Sequence, residues 1–217
     1  MCQVKFLVAM LHGILNRQNM AQLKHEEQLQ KIFSNVNDWL KFAEAKNFGL
    51  LTLNAAIIFG ISQIDFGSHV LLKSIIYYVF VSLAVISSLS SLISLFPIVS
   101  QILKGRHVKS WINKISNFID EETPFENIHF YGYLRNIDEN EFESQLLVKT
   151  GITDNSQPFT QYEKELVTQI IYNSRIAWLK YQLFKIGAFI LLSSIALTIM
   201  LYPITAFILW TTKLLFL

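Results

Sequence analysis

The sequence predicts a mainly α-helical integral membrane protein. Its parts are an N-terminal amphipathic helix continuing into a two-span hairpin, a mostly helical cytosolic domain with at most a small strand element, and one C-terminal span. Three observations carry this. Residues 48–64, 75–98 and 186–210 are apolar runs of 17, 24 and 25 residues without one Asp, Glu, Lys or Arg, against roughly 20 needed to cross a hydrocarbon core. Charged residues are only 16% of the chain, well below the roughly 25% usual in globular domains. Nearly all the charges that exist lie before or between the runs. One such helix fits inside a small soluble core; three do not. The chain therefore divides into a cytosolic N-terminal region (1–47), a transmembrane hairpin (48–98), a cytosolic regulatory domain (99–182), and a third span with a short tail (183–217).

Each element follows from local pattern. Lys5 followed by the apolar Phe6–Leu11 faintly resembles a signal peptide, but no small-residue cleavage site follows, so a short interfacial or docking helix is expected. From Gln22 to Lys46, Leu29, Ile32, Val36, Leu40 and Ala43 recur at helical spacing, while Lys31, Asn35, Asp38 and Lys41 face elsewhere. No Gly or Pro interrupts Gln22–Asn47, so this helix runs straight into the first span. Glu44 and Lys46 then sit at the membrane surface, where Lys46 can snorkel. Asp65, Gly67, Ser68 and His69 supply a turn, Tyr77 and Tyr78 open the second span at an interface, and Pro97 marks its end. So short a connection makes the two spans an antiparallel hairpin.

Past the hairpin, Lys104–Phe118 has helical periodicity and Glu121–Pro124 breaks it. The β-branched and aromatic Ile128–Leu134 suits a short strand or an extended segment. Asn136–Lys149 reads as a short helix and Gly151–Pro158 as a loop. From Thr160 a helical pattern leads without a breaker into the third span. Pro203 implies a kink near Leu201–Pro203 or an earlier exit, followed by an interfacial tail with Trp210 and Lys213.

Orientation follows from Lys and Arg. Six precede the first span and ten lie between the second and third, whereas Lys73 alone is near the hairpin turn and Lys213 alone is in the tail. The positive-inside rule places the N-terminus and central segment in the cytosol, and the turn and C-terminus outside.

Chemistry is conspicuous by its lack of motifs. No phosphate-binding loop, dinucleotide fingerprint, nucleophile elbow or zinc-protease helix occurs. Cys2 is the only cysteine, and the five histidines lack ligand spacing. A net charge of +2, diluted by carboxylates in every hydrophilic segment, carries no nucleic-acid footprint. These features point away from an enzyme, a metal site or a cofactor. The absence of any ionisable residue inside a span argues against an ion-coupled transporter. The second span, however, holds Ser87, Ser88, Ser91 and Ser94 at small-xxx-small spacings, which let helices approach closely. They serve packing within one chain, or a subunit contact and pore lining after assembly. Asn54, mid-span, needs a hydrogen-bond partner.

Ala43-Glu44-Ala45-Lys46 leading into Leu50-Leu51-Thr52-Leu53-Asn54-Ala55-Ala56 resembles the start of the first span in Pycsar-type transmembrane effectors. Glu44 stands where the family's element has Asp, and Asn47 where a small residue is usual. His129-Phe130-Tyr131-Gly132-Tyr133 and Gln169–Lys180 are further matches in the same order. The resemblance implies a bacterial antiphage effector of the inner membrane. A partner nucleotide cyclase would make a cyclic nucleotide, cyclic CMP or cyclic UMP, and a homo-oligomer would then disrupt the bilayer and arrest growth. If that holds, cationic and aromatic residues would bind the nucleotide, with Arg106, Lys109, Tyr131, Tyr133, Arg135 and Lys46 as candidates. The alternative is a constitutive small channel or a membrane scaffold subunit with no nucleotide ligand.

Overall fold

The computed structural model describes residues 2–63, 71–96, 126–150 and 159–215. Among these residues it has five helices and no strand: α1 (Cys2–Ser62), α2 (Leu71–Leu95), α3 (Tyr131–Leu134), α4 (Glu139–Thr150) and α5 (Gln161–Leu215). The N-terminal stretch is continuous with α1 rather than a separate short helix. Likewise α5 runs unbroken from the hydrophilic segment through Pro203. The expected turn at 65–69 and the helix at 104–118 lie outside the described residues.

The long helices bury residues about every 3.5 positions, the repeat of coiled-coil packing. On α1 one seam row is Leu29, Val36, Ala43 and Leu50, and the row beside it contains Asn47 and Asn54, all buried. On α2 the seam is Phe80, Ala84, Ser87, Ser91 and Ser94. The apolar rows drive packing, and the asparagines at seam positions fix register at some cost in stability.

The small strand expected within Ile128–Leu134 is corrected. Asn127 makes a turn: its Oδ1 accepts the His129 N–H at 2.9 Å and its carbonyl accepts the Phe130 N–H. A single helical turn, α3, follows. The Asx turn supplies local hydrogen bonds that β-propensity does not anticipate. Gly132 leaves room here for the Phe130 ring, into which a Cβ would run.

By internal contacts the chain forms two compact units, residues 1–41 with 122–178 and residues 42–121 with 179–217. The first has an ordinary hydrophobic core of Leu29, Ile32 and Val36 from α1, Phe142 and Leu146 from α4, and Val167 and Ile170 from α5. Full burial of one such side chain contributes about 1.5–3 kcal/mol. Its helices are capped. Asp138 Oδ1 accepts the Glu141 N–H at 2.8 Å at the start of α4. Before α5, Thr160 Oγ1 accepts the Glu163 N–H at 3.2 Å while Glu163 Oε2 accepts the Thr160 N–H at 2.7 Å, a reciprocal capping box.

The second unit inverts that polarity. Phe48, Phe59, Ile86, Phe189, Leu192 and Met200 face outward, half or more exposed, whereas Asn47, Asn54, Ser87, Ser91 and Ser94 are buried. A surface more apolar than its interior is disfavoured in water and suited to lipid. Among the described residues, three helices are long and apolar enough to cross a membrane.

Candidate functional site

Within the second unit a polar chain crosses all three helices. Asn54 Nδ2 on α1 donates to Ser87 Oγ on α2 at 2.9 Å, and Ser87 Oγ donates to the Gly187 carbonyl on α5 at 2.8 Å. Ser90 Oγ makes a second α2–α5 link, donating to the Leu183 carbonyl at 2.8 Å. The backbones are close at this level. A Cβ on Gly187 would meet Leu50 Cδ2 at 3.0 Å and the Ser87 carbonyl at 3.3 Å. Side-chain hydrogen bonds are needed here because lipid offers the polar groups no partners.

At the other end of the seam lies a charged junction. Lys180 is buried, and its Nζ donates to Glu44 Oε1 at 2.9 Å and to the Ser94 carbonyl at 2.8 Å. Asn47 Nδ2 donates to the Lys180 carbonyl and to the Ala43 carbonyl, each at 2.9 Å. Beside it the Lys46 ammonium stands 4.6 Å from the Phe42 ring centroid, 5.3 Å from Tyr181 and 5.5 Å from Phe184. This is cation–π packing of a lysine among three rings.

These contacts order the helices. Glu44 of α1 bonds Lys180 of α5, which bonds Ser94 of α2; Asn54 of α1 bonds Ser87 of α2, which bonds Gly187 of α5; and Ile57, Gly60 and Ile61 of α1 line one pocket with Phe80 of α2 and Ile195, Thr198 and Ile199 of α5. Thus α2 is antiparallel to α1 and α5 is parallel to it. The arrangement can hold three helices together without water. Opening it requires breaking several hydrogen bonds at once.

In the first unit, Asp138, Glu139, Asn140, Thr168, Tyr172 and Arg175 line an open groove of about 320 Å³. Arg175 Nε donates to the Arg135 carbonyl at 3.3 Å, and Thr168 Oγ1 donates to Glu139 Oε1 at 2.9 Å. The Arg135 guanidinium lies 4.1 Å from the centre of Trp178. Titratable groups elsewhere in the first unit are shifted by burial. His25 and His129 are held below the ordinary histidine value, with Glu163 opposing the shift at His25 and Lys31 and Lys149 adding to it at His129. Burial also raises the Glu143 carboxyl, and Lys164 opposes that shift.

The sequence-derived candidates fall in several places. Arg106 and Lys109 lie outside the described residues. Tyr131 packs on Trp39 with ring centroids 5.5 Å apart. The Tyr133 hydroxyl accepts from Gln145 Nε2, and Arg135 is stacked on Trp178, so neither faces open space alone. Lys46 belongs to the second unit. Asn54 and Ser87 share the polar chain. Ser88 donates to Ala84 of its own helix, Ser91 to Ser87 at 3.4 Å, and Ser94 offers its carbonyl to Lys180. Sequence reasoning missed the Lys180–Glu44 pair, Asn47, Gly187 and the groove residues Tyr172 and Arg175. Opposite charges flanking two spans were the only available sign of the pair.

The fold and the inverted second unit define a helical membrane-embedded protein. Residues 28–209 match the family profile of the Pycsar effector protein domain. The chain belongs to the Pycsar transmembrane effector family, whose members act in antiviral defence. No curated protein and no solved structure matches it.

Proposed function

We propose that this effector is the membrane-disrupting arm of an antiphage signalling pair. A partner cyclase makes a cyclic nucleotide, cyclic CMP or cyclic UMP, which binds the cytosolic domain. The spans then reorganise into a leaky homo-oligomer of the bacterial inner membrane. The first two spans form a hairpin, with the N-terminus and the central segment in the cytosol and the C-terminus outside. The carrying observation is the second unit itself, in which Asn54 and Ser87 are buried and hydrogen-bonded across three helices while Phe48, Phe59, Phe189, Leu192 and Met200 face outward. Such a unit lies closed in lipid and conducts only after rearrangement, and a ligand shifts that equilibrium by preferring the open state.

The candidates for the nucleotide remain Arg106, Lys109, Tyr131, Tyr133, Arg135 and Lys46, joined now by Arg175 and Tyr172 at the groove. The groove's volume of about 320 Å³ falls at the lower end of the roughly 300–1,000 Å³ typical of small-ligand sites. Arg175 would give a phosphate a charge-assisted donor, Tyr172 a stacking face, and the carboxylates acceptors for hydroxyl or amine hydrogens. The proposal needs no catalytic constellation. Ser88, Ser91 and Ser94 are the residues we assign to pore lining after assembly.

The test is inducible expression with a membrane-potential dye, with and without the cyclase. Depolarisation only with the cyclase is expected. Depolarisation without it would instead favour the constitutive channel, and none with it would remove the effector reading.

A further inference from the structure

Resting on that effector reading, we propose that the Lys180–Glu44 pair is the latch that keeps the three membrane helices closed, and that removing the charge of Glu44 opens it without any nucleotide. One ammonium does three things here. It comes from α5, takes its counter-charge from α1, and donates to Ser94 in the last turn of α2. The final carbonyls of a helix have no intrahelical donors and carry the negative end of its dipole. A buried cation at that point gives the last turn of α2 a charged donor. The same lysine's carbonyl is held by Asn47, whose second hydrogen goes to Ala43, so α1 and α5 are joined at the same level.

The pair is asymmetric. The Lys180 side chain is 6% exposed and that of Glu44 is 47% exposed. Glu44 can swing into solvent at small cost, but Lys180 cannot then stay where it is, because an unpaired buried ammonium is strongly disfavoured. It withdraws toward water, α5 moves with it, and the end of α2 loses its donor. A buried ion pair adds little net stability compared with apolar packing of the same volume. Its presence where three helices meet therefore suits a contact made to be broken.

The experiment compares wild type, Glu44→Gln, Glu44→Gln/Lys180→Met and Asp38→Asn in cells lacking the cyclase, with dye depolarisation normalised to protein in the membrane fraction. Asp38 and Lys41 form an exposed pair and serve as control. Gln keeps an acceptor in a half-exposed position, so the variant should fold. Glu44→Ser asks the same question should it not accumulate. Glu44→Gln should raise depolarisation about tenfold, the shift given by an open-state bias of one decade. The double variant should fall back toward wild type, because the stranded charge is gone, and Asp38→Asn should do nothing. Wild-type behaviour of Glu44→Gln, or a double variant as leaky as the single, overturns the latch. Wild type run with the cyclase separately tests the effector reading; should that fail, the Glu44 variants still decide for or against the latch.

Discussion

Replacing Ser87 by alanine cuts the Asn54–Ser87–Gly187 chain at its centre. Two hydrogen bonds disappear, the 2.9 Å bond from Asn54 and the 2.8 Å bond to Gly187. Interhelical hydrogen bonds in membranes average about 0.6 kcal/mol and reach about 1.7. The larger loss is the stranded Asn54 amide, fully buried, whose unsatisfied donor costs about 1–3 kcal/mol. Ser87→Ala should therefore destabilise by about 2–3 kcal/mol. Asn54→Ala removes one bond and leaves Ser87 donating to Gly187, at a cost of about 1 kcal/mol. In the double variant nothing is stranded, so the two losses should fall short of additivity by about 2 kcal/mol. Ser88→Ala is the control, since Ser88 bonds only within its own helix, and it should stay within about 0.5 kcal/mol of wild type. The assay is reversible unfolding in mixed micelles followed by tryptophan fluorescence. Zero coupling, or a Ser87 variant as mild as the Ser88 variant, would refute the three-helix chain.

Two further outcomes follow from geometry and charge. Gly187→Val should cost about 1–3 kcal/mol in the same assay, because Leu50 and the Ser87 carbonyl already crowd the position of a Cβ at 3.0 and 3.3 Å. The first unit should lose stability on acidification. His25 and His129 titrate below their ordinary 6.5, so the unfolded chain binds protons first. Their contribution is intact above pH 6.5 and is lost as pH falls through the lowered folded values. Glu143, raised above its ordinary 4.5, acts oppositely: its contribution is present below that value and is lost as pH rises through the folded one, offsetting part of the loss in acid. Thermal unfolding from pH 8 to pH 5 measures the slope, and His25→Phe should flatten it.

Much of this was legible in the chain because the signals were periodic. The seam residues of α1 repeat strictly enough to show a helix running into the membrane, and the uninterrupted stretch from Thr160 made the same case for α5. Asn54 announced that it needed a partner, and the serine spacing announced close helix approach. Neither could name the helix it meets, because that depends on contacts such as Ser87 to Gly187, 100 residues apart. Lys180 and Glu44 are separated by 136 residues and leave no local pattern at all. At Ile128–Leu134 β-branched and aromatic residues suggested a strand, but the Asn127 side chain and the space left by Gly132 decided for a turn. The nucleotide candidates were chosen by residue type alone. Packing then engaged Tyr133 with Gln145 and Arg135 with Trp178, and brought Tyr172 and Arg175 to one groove.

The most direct measurement is release of a small dye from vesicles of bacterial lipid containing only the purified protein, before and after addition of cyclic CMP or cyclic UMP. Tight vesicles that leak on addition of one of the two nucleotides are the expected result. Vesicles that leak from the outset, or stay sealed with every cyclic nucleotide, would contradict a ligand-opened membrane effector.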